Sequence, residues 1–205
     1  MNDFLKKIRS EKGFSLIELL VIIFIIAVIV GIIIVNFRAG DKRKTLRMGV
    51  EEVAAFIKDT QAKSLLGQTE NEEFPEGGYG VYLAVGNSYC ILFQDLNSDQ
   101  EYNGPTGPPF EGKGAISEYV EHLKLRKDLL LQRILKDGKI LKELKIVFVP
   151  PRPIMYFDGD NTITNGEILF GMEDEKDQRE VFVNCLSGQI DVRSLEREGS
   201  QGDQK

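Results

Sequence analysis

The sequence predicts an α+β protein, in which a long N-terminal helix with a transmembrane first half packs on a C-terminal antiparallel β-sheet or β-sandwich head. Three observations predict this fold. An apolar run lies near the N-terminus, apolar residues at three- and four-residue spacing follow it, and from Gly77 onward short strands alternate with turn residues. The length of 205 residues is sufficient for a head with its own hydrophobic core.

The first element is an apolar segment. Residues 19–35 contain no charged side chain, and residues 14–17 extend the apolar stretch to about 22 residues, interrupted only by Glu18. A helix of this length measures about 33 Å, enough to cross a hydrocarbon core of about 30 Å. A secretory signal peptide would have a shorter apolar region followed by a small-residue cleavage site. We therefore predict that residues 14–36 form a transmembrane half-helix that stays attached to the head.

The second element continues this helix over residues 37–66. Its apolar and small residues recur at helical spacing, which predicts an amphipathic half that packs on the head. The predicted packed face consists of Leu46, Val50, Val53, Ala54, Ile57, Gln61, Ser64 and Leu65. Gly67 marks the end of the helix.

The head is predicted to occupy residues 67–205, with a frayed tail from about residue 196. Residues 79–85 and 88–94 predict a hairpin around Gly86-Asn87. A long loop over 97–114 follows, and the remaining strands are predicted at 119–126, 128–134, 143–149, 156–157, 167–172, 180–185 and 189–192. The leucines between 118 and 142 also fit a helix. The prolines at 150–153 predict a sheet edge or a crossover.

Composition excludes several functions. The chain has one histidine, His122, so a multi-histidine metal site or a Ser-His-Asp triad is hard to build. Residues 1–13 carry four basic and two acidic side chains, a net charge of +2. Because the whole chain has a net charge of −6, residues 14–205 carry −8. This acidity argues against nucleic acid as a partner. We predict no catalytic residues and no cofactor.

The most specific motif surrounds Glu18. A short basic leader ends in Gly13, Phe14 follows, a glutamate stands at the fifth position after the glycine, and the apolar helix comes next. A carboxylate one turn inside a membrane helix requires a partner or a function, because an unpaired charge in lipid is costly. The alternative is a glutamate that reaches the membrane edge. The motif resembles the cleavage site of type IV prepilins and type II secretion pseudopilins.

This resemblance implies a set of residue roles and partners. A membrane-embedded prepilin peptidase would cut after Gly13 and so remove the leader, residues 1–13. Phe14 would become the N-methylated terminus, and its ammonium would meet Glu18 of a neighbouring subunit. The implied partners are other pilins or pseudopilins, the prepilin peptidase and an inner-membrane assembly platform. The implied location is the inner membrane, crossed once, with the head on the periplasmic or extracellular side.

The head is similar to H-type minor pseudopilins and their minor-pilin relatives. The segments that carry this resemblance are residues 78–82, 91–97, 146–148 and 183–190. They imply a structural subunit of a type IV pilus-like fibre or a type II secretion pseudopilus. Two alternatives stay open, a minor pilin that binds DNA for uptake and a membrane-anchored enzyme with a β-domain. The first would need clustered arginines, and the second lacks a recognisable nucleophile, base or metal constellation.

The segment from Asp95 to Glu101 alternates oxygen-bearing side chains as a calcium loop does. Its candidate ligands are Asp95, Asn97, Asp99 and Glu101. An EF-hand would require glycine at Gln100 and glutamate at Thr106, so the spacing favours a polar turn over a calcium site.

Two cysteines, Cys90 and Cys185, fall in strand-like segments of the predicted head. A disulfide is chemically possible outside the cytoplasm. Two buried free thiols are favoured, because nothing in the sequence places the two strands face to face.

Overall fold

A computed structural model of the chain describes residues 15–67, 75–108, 110, 118–150, 154–172 and 177–195, without the side chains of residues 33–40. Three predicted features lie outside the described residues: the leader that ends at Gly13, the expected new N-terminus Phe14, and the tail from residue 196. The chain divides into two compact units, Met1–Asp41 and Lys42–Lys205. Among the described residues, no helix meets the combined length and hydropathy required of a membrane span.

The N-terminal helix, α1, runs from Leu16 to Leu66 and is 51 residues long. It ends at Gly67, which has a φ of +62° and donates its amide to the carbonyl of Ser64. A positive φ is the conformation in which glycine commonly terminates helices. The predicted C-terminus of the helix is therefore confirmed.

In the part of the chain that the structure describes, ten strands form two antiparallel five-stranded sheets, which confirms the predicted α+β fold. The strands are β1 (Tyr79–Ala84), β2 (Tyr89–Gln94), β3 (Tyr119–Lys124), β4 (Leu129–Lys136), β5 (Lys139–Leu141), β6 (Glu143–Val149), β7 (Ile154–Phe157), β8 (Asn165–Met172), β9 (Gln178–Asn184) and β10 (Gln189–Ser194). The first sheet has the order β3-β2-β1-β6-β7, and the second has the order β10-β9-β8-β4-β5.

The segment with two possible interpretations, residues 118–142, forms strands and not a helix. It contains β3, β4 and β5, and β4 turns into β5 at Asp137 and Gly138, both with positive φ. An Asp-Gly pair favours the tight turn of a two-residue hairpin. Strand pairing decides between helix and strand for this segment, because Leu131 and Ile134 are buried in β4, which pairs with β8.

The main core lies between the outer part of α1 and the two sheets. The helix contributes Leu46, Val50, Val53, Ala54 and Ile57, all buried as their spacing predicts. The sheets contribute residues such as Val81, Phe148, Ile168, Phe170 and Val183. Leu65 was predicted on the same face of the helix, but its side chain is 47% exposed, so that prediction is wrong.

A second, smaller core covers the other face of the first sheet. Tyr82, Ile91, Phe93 and Val147 form its centre, and the loop after β2 covers them through Tyr102. The ring of Tyr102 lies 5.3 Å from that of Tyr82 and 5.2 Å from that of Phe93. The loop over residues 95–108 is therefore held against the sheet by aromatic packing.

Candidate functional site

The first candidate site is the N-terminus of α1. Ser15 precedes the helix, and its Oγ accepts a hydrogen bond of 3.2 Å from the amide of Glu18. Its carbonyl accepts a second one of 3.2 Å from the amide of Leu19. The spacing Ser-x-x-Glu is that of a capping box, in which the serine satisfies an amide that the helix leaves free. Sequence reasoning missed Ser15, although this spacing could have revealed it.

Glu18 therefore lies in the first turn of the helix. The helix dipole places partial positive charge there, and a carboxylate in the first turn is favourable. Phe14, the residue expected to provide an ammonium partner, lies outside the described residues, as does Gly13. The geometry establishes Glu18 as an exposed carboxylate at the positive end of an apolar helix.

The apolar side chains that follow Glu18 are exposed over the described part of this half-helix. From Leu19 to Ile32, the large hydrophobic side chains are 40% to 66% exposed. An apolar surface of this extent is typical of a segment covered by lipid or by other protein chains. Exposure of the first half contrasts with burial of Leu46, Val50 and Ile57 in the second.

Polar contacts hold the outer part of α1 on the sheets. Gln61 donates its Nε2 to the carbonyl of Gly188 at 3.2 Å, and the Ser64 hydroxyl donates to the carbonyl of Phe148. Glu52 forms an ion pair with Arg126, whose guanidinium hydrogen bonds hold the pKa of the Glu52 carboxyl below its ordinary value. These contacts join the helix to both sheets and to the segment before β4.

The second candidate site lies in the loop that follows β2. It brings together the carboxylates of Asp95, Asp99 and Glu118, whose ligand atoms lie within 4.8 Å of one another. Asp95 and Glu118 are buried, and Asp99 is exposed. Asp95 and Asp99 were candidates from the sequence. Glu118 was missed, although antiparallel pairing places the start of β3 beside the end of β2.

The other two candidate ligands of the loop have different partners. Asn97 donates its Nδ2 to Asp99 Oδ2 at 2.8 Å and accepts the amide of Asp99 on its Oδ1. Glu101 forms an ion pair of 2.8 Å with Lys145, which also lies near Glu143. Burial alone would lower the pKa of Lys145, but these carboxylates raise it above its ordinary value. Glu101 therefore anchors the loop to β6 instead of facing the carboxylate cluster.

Hydrogen bonds within the loop form the turns that the sequence favoured. The Asp99 carboxylate accepts the amide of Glu101 and the Nδ2 of Asn103. Partial burial acts to raise the pKa of Asp99, but these hydrogen bonds lower it below its ordinary value. The loop is thus a polar turn, and two of its residues, Asp95 and Asp99, also belong to the carboxylate cluster.

The remaining candidates from the sequence, the two cysteines and His122, pack against other side chains of the head. Cys90 on β2 and Cys185 in the turn after β9 are free, buried thiols, as favoured, although Cys185 was expected within a strand. Burial raises the pKa of each thiol to about 12. His122 is exposed on β3, where its Nδ1 lies 2.8 Å from the hydroxyl of Tyr119. Its ring stacks on Phe110 at 4.2 Å.

Comparisons with known proteins show what this chain is similar to. Residues 8–34 match the family model described as the prokaryotic N-terminal methylation motif. With this motif, a long N-terminal helix and an antiparallel head, the chain is similar to type IV pilins. The chain is 28% identical over 100 residues to the type IV wide pilus major component PilA4 of Thermus thermophilus, covering 41% of this chain and 73% of that protein. No solved structure matches this chain.

Proposed function

We propose that this chain is a minor pilin or pseudopilin, a structural subunit of a type IV pilus-like fibre or a type II secretion pseudopilus. One observation carries the proposal: a methylation motif over residues 8–34 coincides with a helix whose described apolar side chains are exposed. Such a surface is suited first to lipid and then to the helices of other subunits. The proposed location is the inner membrane, crossed once by residues 14–36, with the head outside the cytoplasm.

Processing follows from the same motif. The prepilin peptidase would cut between Gly13 and Phe14, and Phe14 would be N-methylated. The cut removes the four basic side chains of the leader and creates one ammonium, two residues before the start of α1. An inner-membrane assembly platform would then take up the mature subunit.

Glu18 is proposed to set the axial position of the subunit. The new ammonium would precede α1 in the sequence by two residues, and a carboxylate from an adjacent subunit would stabilise its positive charge. In a low-dielectric surrounding the attraction is strong, whereas an unpaired Glu18 would be penalised. Because the neighbouring apolar side chains have no polar groups to define a register, this pair would define it.

The test compares three variants in the native host. Gly13→Leu should retain the leader, which intact mass spectrometry of the purified chain detects. Glu18→Ala should be cut and methylated but should enter fibres at least about tenfold less than wild type. Ser15→Ala is the matched control, because it removes the helix cap and leaves the carboxylate in place. It should be processed and assembled.

Two results would overturn the assignment of roles. Wild-type chain that begins at Met1 in its native host would remove the processing step. Equal loss of assembly in Ser15→Ala and Glu18→Ala would show that Glu18 acts through helix capping and not through a partner subunit.

A major subunit is the second candidate, favoured by the name of the Thermus thermophilus relative. Quantitative mass spectrometry of sheared fibres separates the two, since a major subunit dominates the fibre mass and a minor one does not. A DNA-binding role has less support, because the guanidinium of Arg193 lies 3.4 Å over the ring of Phe182.

A further inference from the structure

The carboxylate cluster of Asp95, Asp99 and Glu118 has a feature that its own turn does not explain. Asp95 is completely buried, and its Oδ1 has no hydrogen-bond partner among the described residues. Its Oδ2 accepts the amide of Gln100 at 2.9 Å. A buried carboxylate oxygen without a partner costs free energy, so native proteins rarely leave one unsatisfied.

Backbone hydrogen bonds and a close approach of Gly77 fix the position of Asp95. The backbone of Asp95 is fixed by its amide, which donates to the carbonyl of Gly78 at 2.9 Å, and by its carbonyl, which accepts the amide of Gly77 at 3.1 Å. A side chain at Gly77 would collide with Asp95, because its Cβ would be too close to Asp95 Cγ and 2.6 Å from the Asp95 carbonyl oxygen. The chain therefore leaves room for this carboxylate at the sheet edge.

The pairing of β2 with β3 aligns Phe93 with Tyr119, so Glu118 lies opposite Gln94 and next to Asp95. Its backbone carbonyl accepts the amide of Gln94 at 2.8 Å, and its Oε2 accepts the amide of Asn103 at 2.7 Å. It is 3% exposed. Two buried carboxylates and the exposed Asp99 thus share one small volume.

Nothing in the described part of the chain neutralises this charge. No described lysine or arginine forms an ion pair with any of the three carboxylates, and Lys145 is engaged by Glu101, Glu143 and Asp158. Burial raises the pKa of Asp95 and of Glu118 above the ordinary values; backbone amides that donate to each carboxylate act to lower it, and neighbouring carboxylates raise it further. A cation would remove both the repulsion and the unsatisfied oxygen.

We propose that Asp95, Asp99 and Glu118 bind a calcium ion at the edge of the first sheet. The donors are all carboxylate oxygens, which hard divalent cations prefer. Calcium–oxygen distances of about 2.3–2.6 Å allow ligand atoms on opposite sides of the ion to be roughly 4.6–5.2 Å apart. The cluster, with its atoms within 4.8 Å of one another, fits this range. The exposed side of Asp99 leaves coordination positions for water.

This site differs from the loop that the sequence alone suggests. Its third carboxylate is Glu118, 19 residues beyond Asp99, and not Glu101. Bound calcium would join the end of β2, the loop with Tyr102, and the start of β3. The site is independent of the proposed role of the N-terminal helix.

The test uses the full chain in detergent micelles, treated with EDTA and then titrated with calcium chloride. We expect one ion per chain by calorimetry, with a dissociation constant on the order of 0.1 mM, as in extracellular calcium modules. At a hundredfold excess over this constant, calcium should raise the folded-to-unfolded ratio about 100-fold in thermal unfolding. Magnesium chloride should bind at least about tenfold more weakly.

Matched variants identify the ligands. Asp95→Asn and Glu118→Gln keep the shape of the side chains and should weaken calcium binding at least about tenfold. Glu101→Gln lies in the same loop and should retain wild-type affinity. Absence of heat and of thermal stabilisation in wild type at millimolar calcium would overturn the site, whether or not the variants fold. Loss of binding in Glu101→Gln with retention in Glu118→Gln would overturn the ligand set, and equal affinity for magnesium would overturn the choice of calcium.

Discussion

Replacement of Ile57 by alanine tests how the outer part of α1 packs on the sheets. Ile57 is completely buried in the main core, and the change removes three carbon groups. At about 0.8 kcal/mol for each group the transfer free energy is about 2.4 kcal/mol, and the cavity left behind raises the expected loss to about 3–4 kcal/mol. The matched control is Leu65→Ala, because the helical spacing predicts both residues on one face whereas Leu65 is 47% exposed. It should cost less than about 1 kcal/mol.

The assay is thermal or denaturant unfolding of the full chain in detergent, followed by tyrosine fluorescence, since the chain has no tryptophan. For a protein of this size Ile57→Ala should lower Tm by roughly 6–15 °C, with the slope of the denaturant dependence unchanged. Equal losses in both variants, or a loss below about 1 kcal/mol in Ile57→Ala, would refute the packing described above.

Three further predictions concern the head. Gly77→Ala should destabilise the chain by about 1–3 kcal/mol in denaturant unfolding, because its Cβ would lie 2.6 Å from the carbonyl oxygen of Asp95; wild-type stability would contradict that close approach. Cys90 should resist alkylation at mildly alkaline pH in the native state and react after unfolding, as mass spectrometry detects, because burial raises its pKa to about 12. Tyr82 has a pKa raised to about 12 by burial and by Glu143, so its contribution to stability is complete below about pH 10 and is lost as the pH rises through 12. Phenolate absorbance should show one fewer late-titrating tyrosine in Tyr82→Phe, and an unchanged titration would refute this.

Local patterns in the sequence predict much of this fold, because each depends on residues close together in the chain. Helical spacing places Leu46, Val50 and Ile57 on the buried face of α1, and Gly67 marks the helix end. The Gly86-Asn87 turn predicts the β1-β2 hairpin. The pattern is insufficient for Leu65, because Thr60 and Ser64 form the buried face near the end of the helix and Leu65 lies about 100° around the helix from Ser64.

The candidate calcium site was also only partly predictable from local sequence patterns. Asp95 and Asp99 are recognisable from their spacing, but Glu118 enters only when β2 and β3 pair. Glu101 satisfies the local pattern as well as Asp99 does, yet Lys145 on β6 holds it elsewhere. Long-range partners therefore select which carboxylates converge.

The sequence by itself determined the resemblance to type IV prepilins, which rests on the N-terminal methylation motif. The predicted leader, the proposed cut site, Glu18 and the apolar run are consecutive in the chain, so the motif that they form can be read without a folded head. Only the tertiary structure decided the division of ten strands between two sheets and the joining of Glu118 to Asp95. Those contacts depend on side chains far apart in the chain, which only strand pairing and core packing bring together.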